Sequence, residues 1–252
     1  MTMNKPYGTV LIKADQILKY LSLSTEPQRL HQIAKDTELT KSTASKILNT
    51  LNLIGYVQKN PDTQEFTLGR ALVNYANKAA SQLEIKRIAQ PYLEELQRMT
   101  TETVHLGILD KSCIVYITKI ESNHPVNLYS QVGKTIPLYC SAMGKSILAE
   151  LTDVEIEQYL AENILIPKTE NTFTIKESFR NELKNIRNLG YAFDDGEHEI
   201  DVFCAGTSIT VNGKNFGAIS VSIPKYRITQ NILKDIIDAL QKCKAGILAE
   251  LN

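Results

Sequence analysis

The sequence predicts an α+β protein built in two parts. The first 68 residues hold three stretches of helical periodicity followed by two short strand-like runs. Beyond about residue 100, β-branched runs come in adjacent pairs and helices come in groups. A parallel βαβ sheet would instead alternate them one for one. The 252 residues are 43% apolar and 22% charged, enough for a sizeable core and unlike a disordered chain.

Val10, Ala14, Ile17, Leu18 and Leu21 fall on one face of a first helix. A second, short helix covers about Gln32 to Asp36 and packs Ile33 and Ala34. Thr40 is a good N-cap for a third, whose apolar stripe is Ala44, Ile47, Leu48 and Leu51. Gly55 ends that pattern. Tyr56-Val57-Gln58 and Phe66-Thr67-Leu68 then read as strands around Asn60-Pro61-Asp62, which is turn chemistry.

Arg70 to about Thr100 is helical in two pieces, with Pro91 expected to kink the second or restart it. Residues 70–83 are the expected connector, dividing a domain at 1–69 from one at 84–252. In the latter, Val104 to Leu109 and Cys113 to Ile120 form a hairpin about Asp110-Lys111-Ser112, and Val126 to Tyr129 is a shorter strand. Helices follow at about Ala142 to Glu150, Thr152 to Glu162 and Ile175 to Leu189, with Thr152 and Thr174 as caps and Gly190 as a stop. Asn212-Gly213 joins strands Cys204 to Val211 and Phe216 to Ile223. A last helix, Ile232 to Leu251, aligns Ile236, Leu240, Cys243 and Ile247.

Four cysteines (113, 140, 204, 243) form no Cys-x-x-Cys pair, so neither a zinc module nor a disulfide framework is indicated. No apolar run approaches the roughly 18 residues of a membrane span, and no signal-peptide core is present. A cytoplasmic protein with no membrane partner is expected. The 28 basic and 28 acidic residues cancel, which taken whole argues mildly against nucleic acid.

The third helix qualifies that argument. Opposite its core stripe stand Ser42, Ser45, Lys46 and Asn49, with Lys41 and Thr43 at its start. Short hydroxyls, an amide and two lysines can donate to phosphates and base edges without bulk. A solvated helix face is the plain alternative. The order short helix, tight turn, this helix, two-stranded wing is the winged helix-turn-helix arrangement, and it favours a groove.

Leu39-Thr40-Lys41-Ser42-Thr43-Ala44-Ser45-Lys46-Ile47-Leu48, continuing to Leu53-Ile54-Gly55-Tyr56-Val57, resembles the DNA-binding domain of the IclR family of bacterial transcriptional regulators. The resemblance implies contact with double-stranded operator DNA through Lys41, Ser42, Thr43, Ser45, Lys46 and Asn49, and through Lys59 of the wing. The family turn usually carries glycine where this chain has Glu38. A positive φ there costs a non-glycine residue about 1 kcal/mol, so a slightly different turn is expected. Divided by segment, residues 1–75 hold nine Lys+Arg against six Asp+Glu, and the remainder 19 against 22. The neutral total conceals a basic head and an acidic body.

Two later segments concentrate unusual chemistry. Gly133 to Lys145 places small residues around a helix start, whose backbone N–H groups could hold a carboxylate. A tight strand-to-helix turn is the plain reading. Asp194-Asp195-Gly196-Glu197-His198-Glu199, running on to Asp201, gathers five acids and a histidine. Without regular ligand spacing this is better read as solvated loop than as a metal site. Cys204 with His198 could be imagined as nucleophile and base, but a half-buried strand cysteine is usually inert.

Both segments resemble the effector-binding domain of the same family, a GAF-like mixed α/β fold, and the resemblance spans about residues 10 to 250. It implies ligand contacts from the backbone of Ala142 and Met143 and from Asp194, Cys204, Ser220 and Ser222. Alternation supports the serine pair, because residues two apart on a strand share a face. Asp201 and Ala205-Gly206-Thr207-Ser208 depart from the family's usual glycine and proline near the cysteine, so the loop there is expected to differ. Glu102 to Gly107, Ile114 to Ile120, Leu128 to Ser130 and Pro137 to Tyr139 look most like members answering to 2-keto-3-deoxygluconate. The pocket residues also resemble those of members binding glyoxylate or pyruvate. The expectation is a DNA-binding repressor of carbohydrate or organic-acid catabolism, a homodimer or homotetramer sensing a small 2-oxo acid or sugar acid. No catalytic residue, metal or cofactor is expected. Two other readings are a metal- or cysteine-dependent enzyme around Asp194 to Cys204, and a DNA-binding protein whose C-terminal domain only oligomerises.

Overall fold

A computed structural model gives the fold of the protein for residues 8–81, 84–125 and 128–251, with the side chains of 77–81 outside the description. The chain forms two compact units, Met1–Gln82 and Leu83–Asn252.

The first unit runs α1 (Thr9–Leu23), β1 (Gln28–Arg29), α2 (Leu30–Asp36), α3 (Lys41–Leu53), β2 (Val57–Lys59), β3 (Glu65–Leu68) and α4 (Ala71–Ser81). Its core joins Ile17 and Leu21 of α1, Ile33 and Ala34 of α2, the α3 stripe, and Val57 and Phe66 of the strands. The predicted α1 stripe stops short of Val10, which stays 55% exposed. β3 lies between β1 and β2, both antiparallel to it, so the wing has a third, two-residue strand that hydrophobic pattern could not signal. Thr40 caps α3 as expected, its Oγ1 accepting from the Thr43 N–H at 3.2 Å. Glu38 keeps the left-handed turn at φ 55°, so the expected departure does not occur there. The strain is carried instead.

The second unit runs α5 (Glu84–Thr100), β4 (Thr103–Asp110), β5 (Cys113–Ile120), β6 (Thr135–Pro137), α6 (Ala142–Leu148), α7 (Asp153–Glu162), α8 (Lys176–Leu189), β7 (Ala192–Asp195), β8 (Val202–Val211), β9 (Lys214–Pro224) and α9 (Gln230–Leu251). The strands make one antiparallel sheet in the order β6-β5-β4-β9-β8-β7. One face buries Val104, Leu106, Ala205, Ile219 and Val221 against Ala89 and Leu93 of α5 and Leu240 and Ile247 of α9. On the other, Tyr116 and Ala218 belong to a second core with Met143 and Ile147 of α6 and Phe179 and Leu183 of α8. These two layers of helix on one sheet are the mixed architecture the pairing of strands predicted.

Several local expectations are corrected. Helix α5 continues through Pro91 without a restart. Pro91 and Arg87 are both exposed, so the carbonyl that loses its partner faces water. Of the expected strand Val126 to Tyr129, Val126 and Asn127 lie outside the described residues, and Leu128 and Tyr129 are not strand. Thr174 does not cap α8; the N-cap is Ile175, with no side-chain bond. Thr152 does cap α7, in a reciprocal box with Glu155. Asn212 and Gly213, both at positive φ, turn β8 into β9 as their sequence requires.

Candidate functional site

The α3 surface carries the first set of candidate residues. Ala44, Ile47, Leu48 and Leu51 are committed to the core. The same helical period therefore turns Lys41, Ser42, Lys46 and Asn49 outward, and all four are exposed. Thr43 and Ser45 are half-buried at the margin of that face. The Thr43 hydroxyl is also part of the cap, accepting from Thr40 Oγ1 at 2.9 Å. Lys59 lies on β2, half-buried, with its ammonium 5.7 Å from the centre of the Phe66 ring. Its backbone N–H donates to Asn52 Oδ1 at 3.1 Å. That bond ties the wing to α3, a role for Asn52 that its place outside the apolar stripe did not disclose.

The second set lies on the sheet face that carries α6. Register opposes Asp194 to Cys204 and Cys204 to Ser222. Opposed residues of antiparallel strands share a face, so the three side chains form one row. The next row is Ala192, Gly206, Ser220 and His105. Gly206 is where α6 comes down on the sheet: a Cβ there would sit 2.9 Å from the Met143 nitrogen. Small residues at this row admit the helix start.

Asp194, Cys204 and Ser222 line a small chamber that opens to solvent. His105, Tyr116 and Ser130 add polar groups to it, and Leu128, Ile136 and Val202 give apolar wall. His198 and Glu199 stand at the side shared with a wider groove toward Tyr129 and Tyr226. Ala142, Met143 and Ser220 are buried but do not line the chamber itself: Ser220 lies in the next row of the sheet, and Ala142 and Met143 start α6 over Gly206 of that row. Three of the six expected ligand residues are thus gathered directly and three sit beside them. His105 was missed. Its signal was present, because on β4 it alternates with the buried Val104 and Leu106.

Burial sets the electrostatics. It raises the Asp194 carboxyl to about 6, even though Asp194 Oδ1 accepts the Glu197 N–H at 2.7 Å and the His198 N–H at 3.3 Å. It raises the Cys204 thiol well above its ordinary value, reinforced by the nearby Asp194 charge. Burial, with Lys119 nearby, pushes His105 down to about 3, so the imidazole is neutral. A protonated thiol whose neighbour is the Ser222 hydroxyl at 3.1 Å is a poor nucleophile. Of the acidic loop, Asp195 pairs with Lys225 at 2.7 Å, and His198 Nδ1 lies 3.7 Å from a Glu199 oxygen. Among the described residues no group of three His, Cys, Asp or Glu side chains could hold a metal ion. Beneath the chamber Lys145 of α6 is fully buried and ion-paired to Glu197 and, at 3.2 Å, to Glu182 of α8.

Comparison with known proteins agrees with both halves of this description. Residues 10–61 match the IclR helix-turn-helix domain, and residues 77–248 match the bacterial transcriptional regulator IclR C-terminal domain. The chain is 30% identical over 222 residues to the HTH-type transcriptional regulator KdgR of Escherichia coli, covering 88% of this chain and 84% of that one. It is 32% identical over 241 residues to the HTH-type transcriptional regulator XynR of the same organism, covering 95% and 96%. The crystal structure of Thermotoga maritima IclR superposes with a TM-score of 0.80 at 31% identity, over 97% of this chain and 99% of that one. These relatives are transcriptional regulators and not enzymes. The chain belongs to the IclR family of DNA-binding transcriptional regulators, with an N-terminal helix-turn-helix domain and a C-terminal effector domain.

Proposed function

We propose that the protein is a cytoplasmic repressor of carbohydrate or organic-acid catabolism, released from its operator by a small 2-oxo acid or sugar acid such as 2-keto-3-deoxygluconate. The observation that carries this reading is the convergence of Asp194, Cys204 and Ser222 on one small chamber that also has apolar wall. A six-carbon sugar acid needs several hydroxyl partners and one carboxylate partner, and such a chamber supplies hydroxyls, a thiol and an acceptor.

In this account Ser222 takes the carboxylate and Asp194 accepts from a ligand hydroxyl, while Ser220 and the backbone of Ala142 and Met143, buried beside the chamber, join the carboxylate contacts as the chamber widens around the ligand. Two copies of the 1–69 domain set Lys41, Ser42, Thr43, Ser45, Lys46 and Asn49 into successive major grooves, while Lys59 meets the backbone. The excess of three basic residues in the first 75 is modest, so pairing of chains must supply much of the affinity. The segment 70–83 joins the two functions. For the ligand to act, it must bind the DNA-competent and DNA-incompetent arrangements with different affinity.

Calorimetry with 2-keto-3-deoxygluconate, glyoxylate and pyruvate tests the ligand class. Binding of at least one acid, weakened by Asp194→Ala and by Ser220→Ala, is the expected result. Absence of binding by every 2-oxo acid overturns the class.

A further inference from the structure

The polar groups of the chamber form a continuous chain. His105 Nε2 lies 2.8 Å from Ser130 Oγ, and His105 Nδ1 lies 3.4 Å from Ser222 Oγ. Ser222 Oγ in turn lies 3.1 Å from Cys204 Sγ. All four side chains line the chamber, and His105 is 2% exposed. Its ring is fixed by β4, where register sets it between Ser220 on β9 and Lys119 on β5.

A neutral imidazole has one N–H and one lone pair, so it cannot treat two hydroxyls alike. With the proton on Nε2, the ring donates to Ser130, and Ser222 must spend its own O–H on Nδ1. With the proton on Nδ1, Ser130 donates to Nε2, the ring donates to Ser222 Oγ, and the Ser222 O–H is left to point elsewhere. The distances admit either arrangement: 2.8 Å suits a hydroxyl or an N–H donor, and the 3.4 Å contact is slack enough to tighten on binding. The ligand chooses between them, because a carboxylate offers acceptors only and so requires a Ser222 hydroxyl free to donate.

We propose that His105 is the positioning residue of the effector site: as its neutral Nδ1–H tautomer it donates to Ser222 and thereby makes the Ser222 hydroxyl a donor to the ligand carboxylate. The tautomer orients a hydroxyl that touches ligand, and selects acids over neutral analogues whose corresponding atom is itself a donor. This inference rests on the reading of the chamber as a 2-oxo acid site.

Two measurements on the full chain test it. The ¹⁵N spectrum of histidine-labelled protein, assigned by the signals lost in His105→Asn, should show Nδ1 protonated and Nε2 bare, unchanged between about pH 5 and 8. A protonated Nε2, or a ring that titrates in that range, overturns the proposal. In calorimetry with 2-keto-3-deoxygluconate and pyruvate, His105→Phe and Ser222→Ala should each weaken binding about tenfold, the double variant no more than the worse single. His105→Asn, whose amide can stand in for the Nδ1–H donor, should stay within about threefold of wild type, and His105→Gln should not. Additive losses, or wild-type affinity in His105→Phe, overturn it. If the wild-type protein binds neither these acids nor glyoxylate, the ligand class fails, and the ¹⁵N spectrum still decides the tautomer.

Discussion

Lys145 and Glu197 form an ion pair with both side chains closed off from solvent, joining α6 to the loop after β7. Glu182 of α8 lies 3.2 Å from the same ammonium, and the Phe173 ring centre lies 5.0 Å from it. Since Asp194 Oδ1 also holds the Glu197 N–H, this one cation organises the floor and the rim of the chamber together. Removing one partner strands the other charge in a low-dielectric interior.

Lys145→Met should therefore cost about 3–5 kcal/mol in urea unfolding, far beyond its lost packing. The double variant Lys145→Met/Glu197→Gln should recover most of that, because the buried carboxylate is then neutral and only Glu182, which reaches solvent, keeps its charge. A single-variant cost below about 1 kcal/mol would show that the pair does not organise the fold.

Asp194 makes stability depend on pH. Its carboxyl is raised from 3.8 to about 6 by burial, so the folded chain holds the proton more tightly than the unfolded one. The resulting stability is complete below the ordinary carboxylate value and is lost as pH rises through about 6. Asp194→Asn keeps the acceptor for the Glu197 and His198 N–H groups and lacks the titration. Relative to wild type its stability should rise by about 2–3 kcal/mol between acid and neutral pH. A difference that is flat with pH would remove Asp194 as the group responsible.

Glu38 stands at φ 55° in the turn before α3. A glycine relieves that strain at some entropic cost, so Glu38→Gly should stabilise the first unit by about 0.5–1 kcal/mol in thermal unfolding. Destabilisation would show that the glutamate side chain contributes more than its backbone loses.

Lys46 projects from the exposed face of α3. If it meets a phosphate, Lys46→Ala weakens operator binding and lowers the slope of log affinity against log salt by about one. An unchanged slope and affinity exclude that contact.

Much of this was legible from the residues. Thr40, the α3 stripe and Asn212-Gly213 each obey a local rule strong enough to fix a cap, a face or a turn. β1, β6 and β7 were not legible, because their two to four residues are too few to show a period, whereas the equally short β2 and β3 flank the turn signal Asn60-Pro61-Asp62. Of the site, Ser222 followed from alternation together with family resemblance. His105 obeyed the same alternation but lay on another strand, and only the β4–β9 register brings it to Ser222. Lys145 stood at the end of a segment of interest, and its carboxylate partners come from 37 and 52 residues away.

The proposed function couples a groove-binding helix to an acid-sensing chamber within one chain. The most direct test is the affinity of the full-length protein for DNA it selects from a random pool, measured with and without saturating 2-keto-3-deoxygluconate at fixed salt. The acid should weaken binding by about tenfold or more, and Asp194→Ala should abolish the response while leaving ligand-free affinity intact. Identical affinity with and without any of the 2-oxo acids would contradict it, and would favour a C-terminal domain that serves only to assemble the chains.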